Sequence, residues 1–518
     1  MTGSELLDVF LATLPILVLI LTLGVFRVPS WIASLGALAL AALLAVLRFS
    51  MPVAGVLEAS LEGVMLGLFP ILWVIVSALF VYNTTLETGG MDRIRSMLSG
   101  LSPDRRVQGL LLAFAFGGFL EAVAGFGTSV AIPAGILVAM GFDPFRAAVV
   151  CLIANTVPVA FGVLGVPITT LAQVTGLATD RLSLFTALQL FPLAVLLPLV
   201  LVGVIAGGVK GIRGVTGLSI AAGAAFSLFQ TVTAWAVGPE LAAVVGSIAA
   251  MLAILGWLRF RPVRSPWRFP GEDAETGAST PDGASRPTVR EALQAWSPYL
   301  IVLVLVFAVR FLPFLSFLNE SPFTVSHQFY HGEGGKPMSF ALATSAGTNL
   351  FIAAVAGGLI QGASFRRLVG VFAKTLRQCE RTIATVLAIV ALAKLMGYSG
   401  MVAGIASALA SLAGGFYPLV APFIGMVGTF ITGSDTSANV LFGNLQRETA
   451  VRLGMDPVWL TAANAAGATL GKMISPQSIS IAASATRLGK REGRLLGATF
   501  LYCLAFAVVM GVLVYAFS

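Results

Sequence analysis

Charge is scarce in this sequence. Aspartate, glutamate, lysine and arginine make up 10% of the 518 residues against 57% for hydrophobic types, and the mean hydropathy of +0.94 lies far above that of a soluble globular domain. Histidine is scarcer still, with two residues, and cysteine has three. Cys151, Cys379 and Cys503 fall in or beside apolar segments without paired or metal-like spacing, so they read as small core residues. His327 and His331 stand four apart, but Gly332, Gly334 and Gly335 argue for a loop there, and no metal is expected. Soluble catalytic signatures are missing too: the chain has no G-x-S-x-G elbow, no H-E-x-x-H, no Walker A loop and no Rossmann fingerprint. Pumping driven by ATP therefore has no support, no cofactor is expected, and an ion gradient becomes the expected energy source.

What the chain has in abundance is apolar runs long enough to cross a bilayer. They recur from residues 7–26 through 298–313 to 495–518, and predict an all-α polytopic membrane protein with about 10 to 14 spanning segments. Glu5 and Asp8 stand where a signal peptide would be basic, and no small-residue cleavage site follows, so the first run is expected to be retained. The net charge of +8 does not point to nucleic acid, because the excess lies in short connections such as 92–106, 259–269, 364–377 and 487–494. The positive-inside rule makes these cytoplasmic, and makes the connection 317–339, with its single lysine, external.

Residues 259–297 turn abruptly to glycine, proline, serine and acidic types, which predicts a polar cytoplasmic linker between membrane halves at 1–258 and 298–518. The halves echo one another. The first carries GFGTSVAIP (125–133), GFDP (141–144), LIANTVP (152–158) and LGVPIT (164–169); the second carries TGSDTSANV (432–440), GMDP (454–457), TAANAAGATLGK (461–472) and MISPQSIS (473–480). In both, 12 residues separate an asparagine, Asn155 or Asn464, from a proline, Pro167 or Pro476. Duplicated halves are a common plan of secondary transporters, with the ligand bound where discontinuous helices meet. Glycine and short hydroxyl or amide side chains suit helix breaks or hairpin tips, expected here around 117–169 and 425–481. Free N–H groups at such a break can hold an anion.

Glu121, Asp435, Lys394 and Lys472 are the charged residues that fall most plainly inside apolar segments. Each costs roughly 2.5 to 3.5 kcal/mol at a helix centre, so each asks for a function or a partner. Lys472 is the cation placed for a substrate carboxylate, with Ser475, Gln477 and Ser478 as neighbouring donors. Glu121 and Asp435 are the candidate proton carriers, since a carboxyl that must be neutral to cross is a natural coupling group; either acid can instead neutralise Lys472. Around the tips, Gly127, Thr128 and Ser129, and Ser434, Thr436, Ser437 and Asn439, are candidate ligand contacts. Asn155, Thr156, Asn464 and Thr469 suit ligand contact or helix-to-helix hydrogen bonding equally well.

Four long motifs, FLEAVAGFGTSVAIPAGILVAMGFDP, CLIANTVPVAFGVLGVPIT, GTFITGSDTSANVLFGNLQ and GKMISPQSISIAA, closely resemble the bacterial L-lactate permease family over most of both membrane halves. The resemblance implies import of L-lactate, and often of D-lactate and glycolate, by proton symport across the bacterial cytoplasmic membrane. It also implies an elevator-type architecture, with a scaffold and a mobile transport domain containing two re-entrant hairpins, commonly as a homodimer. The hairpin tips would then lie at 125–129 and 433–439. A sodium-coupled carboxylate carrier, with Na⁺ held by Thr128, Ser129, Thr436 and Ser437, is the alternative within transport. A membrane sensor that binds lactate without moving it and an intramembrane enzyme are the alternatives outside it; the duplicated breaks and the missing nucleophile and base weigh against catalysis.

Overall fold

In hydrocarbon a backbone must bond to itself, so apolar runs fold as helices. The computed structural model describes residues 3–518 apart from 25, 27, 100, 101, 126, 262, 264, 265, 270–287, 489 and 490. Among the described residues, 11 helices are long and apolar enough to cross a membrane. They agree with the all-α polytopic expectation. The centre of the polar linker, 270–287, lies outside the described residues; beyond it a capping box of Thr288 and Glu291 starts helix Val289–Phe311.

Several helices are interrupted. Gly67–Leu72 breaks the span Val53–Glu87 at Phe69, which has extended dihedrals. Both halves use an Asp-Pro start after a glycine turn. Asp143 accepts from Arg146 N–H at 2.9 Å to cap Pro144–Ala154, and Asp456 accepts from Val458 N–H at 2.7 Å to cap Pro457–Lys472. The proline at the first helical position loses no bond, since its missing N–H would have been unpaired there anyway.

Helix Pro457–Lys472 lies almost backbone to backbone against Tyr417–Thr432. A Cβ at Gly467 would collide with the Pro422 carbonyl, and one at Gly471 with the Met426 carbonyl. This G-x-x-x-G spacing lets the two helices close up and sets the position of Lys472.

The helix Phe365–Tyr398, 34 residues long, spans about 50 Å at 1.5 Å per residue, more than a hydrocarbon core. Its first half is basic and its second apolar. Outside the helices, Thr324–His327 and Met338–Ala341 pair as an antiparallel ribbon in the connection read as external. His331 N–H donates to Glu58 Oε2 at 2.9 Å there. Among the described residues, no group of three or more His, Cys, Asp or Glu is placed to hold a metal ion.

Candidate functional site

The second-half site is made by two helix ends meeting. Tyr417–Thr432 stops at Gly433, whose φ of +73° belongs to the left-handed region that favours glycine. At the next residue the Ser434 hydroxyl accepts from Ser437 N–H at 3.2 Å and starts Asp435–Leu453. A carbonyl-rich end and an amide-rich end thus sit side by side, with partial charges of opposite sign. Lys472 serves the first of them: its Nζ donates to the Gly433 carbonyl at 2.6 Å.

The first half supplies two further breaks. Glu121 lies in the last turn of Gly117–Val123, and the chain turns through Gly125 (φ +59°) and Gly127 (φ +83°) into Thr128–Ala139. Across that turn Ser129 Oγ donates to Glu121 Oε2 at 2.5 Å, and Thr128 Oγ1 to the Gly125 carbonyl at 2.8 Å. The other break falls at Val163, Leu164 and Gly165, with φ of +48°, +51° and +75°. Valine and leucine rarely adopt such dihedrals, and backbone strain of this kind concentrates at functional sites. It brings Gly162 against the acid: a Cβ there would stand 3.0 Å from Glu121 Oε1.

Glu121, Asp435 and Lys472 line one cavity of about 170 Å³. All three are buried, at 4%, 3% and 8% relative exposure, and the Lys472 ammonium is within electrostatic reach of both carboxylates. Ser434, Thr436, Ser437 and Gln477 line it as well. Among the described residues, neither oxygen of Asp435 has a hydrogen-bond partner. Asn155 is buried and stands within hydrogen-bond reach of the Glu121 carboxyl. Buried polar atoms nearly always find partners, so the two unmet oxygens of Asp435 in the cavity wall mark a place for a polar ligand.

Other candidates are engaged elsewhere. Thr156 Oγ1 donates to the Ile153 carbonyl at 2.8 Å and Thr469 Oγ1 to the Ala466 carbonyl at 2.7 Å. Asn464 Nδ2 donates to Asn439 Oδ1 at 2.9 Å and Gln446 Nε2 to Asn464 Oδ1 at 3.3 Å, with Tyr417 OH on Gln446 Oε1 at 2.7 Å. That chain is helix-to-helix bonding, and Asn439 Nδ2 extends it to the carbonyl of Pro167 in the cavity wall at 3.3 Å. Ser475 caps Pro476–Ala485 by accepting from Ser478 N–H at 3.2 Å, and its hydroxyl donates to Ser478 Oγ at 3.0 Å. Gly127 packs against Ile481 of the second half.

The polar cavity residues that lie outside 117–169 and 425–481 are Arg381, Thr382 and Thr385 of the long helix, and Ser30. Arg381 is exposed and also borders a hollow beside Pro29 and Trp31, so its guanidinium stands at the rim. Lys394 does not reach the cavity. Its ammonium pairs with Glu62 at 2.9 Å, and Tyr398 OH donates to the same Glu62 oxygen at 2.7 Å.

The sequence model for L-lactate permease matches residues 8–518. The chain belongs to the L-lactate permease family. It is 44% identical over 454 residues to an L-lactate permease of Streptococcus iniae, covering 87% of this chain and 93% of the relative. It is 35% identical over 546 residues to an L-lactate permease of Bacillus subtilis, and 36% identical over 537 residues to the glycolate permease GlcA of Escherichia coli, covering 99% of this chain and 96% of the relative in each case. Among solved structures it is similar to Neisseria gonorrhoeae MtrF, whose structure is described as illuminating a class of antimetabolite efflux pumps. The TM-score is 0.49 and the identity 14%, over 89% of this chain and 83% of that one; a likeness so loose places no element of this chain. Membership of the permease family and the 11 candidate spans make the chain a multi-pass transporter of the bacterial cytoplasmic membrane.

Proposed function

We propose that the chain imports L-lactate, with D-lactate and glycolate as further cargoes, together with a proton. The observation that carries this reading is the cavity in which one buried ammonium faces two buried carboxyls beside a helix N-terminus. A cavity of about 170 Å³ suits a small solute rather than a drug-sized one. The lactate carboxylate would lie between Lys472 Nζ and the first turn of Asp435–Leu453, where a cation and free amides favour an anion. Thr436, Ser437 and Gln477 are within the same lining to meet the 2-hydroxyl.

Charge then argues for the proton. A bound monoanion would bring a third carboxylate to a dry site with a single buried cation, and uncompensated buried charge is expensive. One proton taken up with the substrate offsets the charge that the substrate adds, so the net charge of the site is the same loaded and empty. Asp435, with no donor on either oxygen, is free to exchange it; Glu121, already accepting from Ser129, orients and balances Lys472 or relays the proton.

The parallel breaks and Asp-Pro caps support a two-repeat transport domain that includes 117–169 and 425–481, moving against a scaffold and assembling as a homodimer. The test is uptake of labelled L-lactate into proteoliposomes with an inward proton gradient and no sodium, comparing the unaltered chain with Glu121→Gln and Asp435→Asn. Accumulation by the unaltered chain and only exchange by a variant supports symport with that acid as the coupling group. Accumulation that appears only with sodium overturns proton coupling, and no movement under either gradient overturns the substrate.

A further inference from the structure

Away from the transport cavity, a hollow of about 1170 Å³ opens where three connections meet: the one before Asp104, 207–215, and the stretch after helix Pro239–Phe260. Lys210, Arg213, Arg261 and Arg268 line it together with Arg106, and among the described residues no aspartate or glutamate does. Arg106 is buried and engaged in the wall itself. Its guanidinium donates to Asp104 Oδ2 at 2.7 Å and to the carbonyls of Gly211 and Arg213 at 2.7 and 2.9 Å, while Trp267 N–H donates to Asp104 Oδ2 at 3.0 Å. This buried clamp holds the three connections together and so fixes the four remaining cations around one space. Among the described residues, Arg268 Nε is buried without a hydrogen-bond partner. Arg261 lies over the Trp257 ring at 5.4 Å, an arrangement that leaves the edge of a guanidinium free to bond a second group.

Like charges held this close repel one another unless an anion sits between them. What kind of anion follows from the surroundings. On the other side of 207–215 lies a second hollow of about 590 Å³, with apolar walls that include Val149, Val200, Val209 and Ile212. Val209 and Phe260, next to the cationic hollow, are 81% and 82% exposed, which suits an aromatic and an aliphatic side chain lying in lipid at the headgroup level. The positive-inside rule puts these connections at the cytoplasmic face, where anionic lipids gather.

We propose that the two hollows together bind an anionic phospholipid, its phosphate among Lys210, Arg213, Arg261 and Arg268 and an acyl chain along the groove past Val209 and Ile212. The full chain, purified in detergent, is titrated with phosphatidylglycerol, with phosphatidylcholine of the same acyl chains and with inorganic phosphate, and bound lipid is counted by native mass spectrometry. Phosphatidylglycerol is expected to bind about ten-fold more tightly than phosphatidylcholine. Lys210→Ala, Arg213→Ala and Arg261→Ala are each expected to narrow that preference, and their combination to abolish it, while Arg377→Ala, in another basic segment, leaves it unchanged. Equal binding of the two lipids, or a preference that survives the triple substitution, overturns the proposal. Displacement of the lipid by millimolar phosphate assigns the site to free phosphate and overturns the lipid. A preference that appears only when Glu272, Asp273 and Glu275 of this chain are neutralised gives the site to the linker instead.

Discussion

Lys472 is the residue on which the proposed chemistry turns, because among the described residues it is the one buried cation of the cavity and its Nζ already makes a short bond to the Gly433 carbonyl. A charge-assisted hydrogen bond to a ligand contributes about 1.5 to 3 kcal/mol. Lys472→Met is therefore expected to raise the lactate concentration for half-maximal uptake by about ten- to a hundred-fold, with the chain still inserted in the membrane; unchanged uptake kinetics would remove Lys472 from the site. Lys394 gives the contrasting case. It is 14% exposed and its partner Glu62 1%, so Lys394→Met leaves a buried carboxylate unpaired and should cost about 3 to 5 kcal/mol. The double variant Lys394→Met with Glu62→Gln should recover most of that, as read by thermal unfolding in detergent. Glu121, Asp435 and Lys472 were legible in the sequence because each interrupts an apolar segment. Glu62 was not, since with Glu58 four residues earlier it looks like one polar face of an interfacial helix, and Arg381 was hidden inside the basic stretch that begins the long helix. Amides gave no signal either way: Asn155 stands beside the Glu121 carboxyl while Asn464 is tied to Asn439 and Gln446, and only the fold distinguishes them.

Among the elements, the helices that flank the site depend on backbone approach more than on side chains. Gly467→Val would push Pro457–Lys472 off the Pro422 carbonyl and carry Lys472 away from Gly433. The expected outcome is loss of uptake with little loss of membrane insertion, measured by transport alongside surface labelling; normal transport would mean the close packing is dispensable. Asp456→Ala removes the cap that accepts from Val458 and Trp459 N–H and should cost about 1 kcal/mol in thermal stability while leaving the cavity groups in place. Breaks built from glycine and hydroxyl residues could be read from the sequence at 125–129 and 433–439. The left-handed turn at Val163 and Leu164 could not, because those residue types argue against it and the surrounding packing overrides their preference.

For the whole molecule, symport of one proton with one monoanion moves no net charge. Uptake should follow the pH gradient and be indifferent to a potassium-diffusion potential imposed at equal pH. A clear response to that potential would point to a second proton or to sodium. The bond from Lys472 to Gly433 also has a consequence for inheritance. Its acceptor is main chain, which no missense change at position 433 deletes, so the selectable partners of Lys472 are the two acids. If cells that depend on this carrier for lactate are given Lys472→Met and passaged on lactate, second-site revertants should gather at Glu121 and Asp435, where loss of a negative charge restores the balance, rather than at the residue that Lys472 touches.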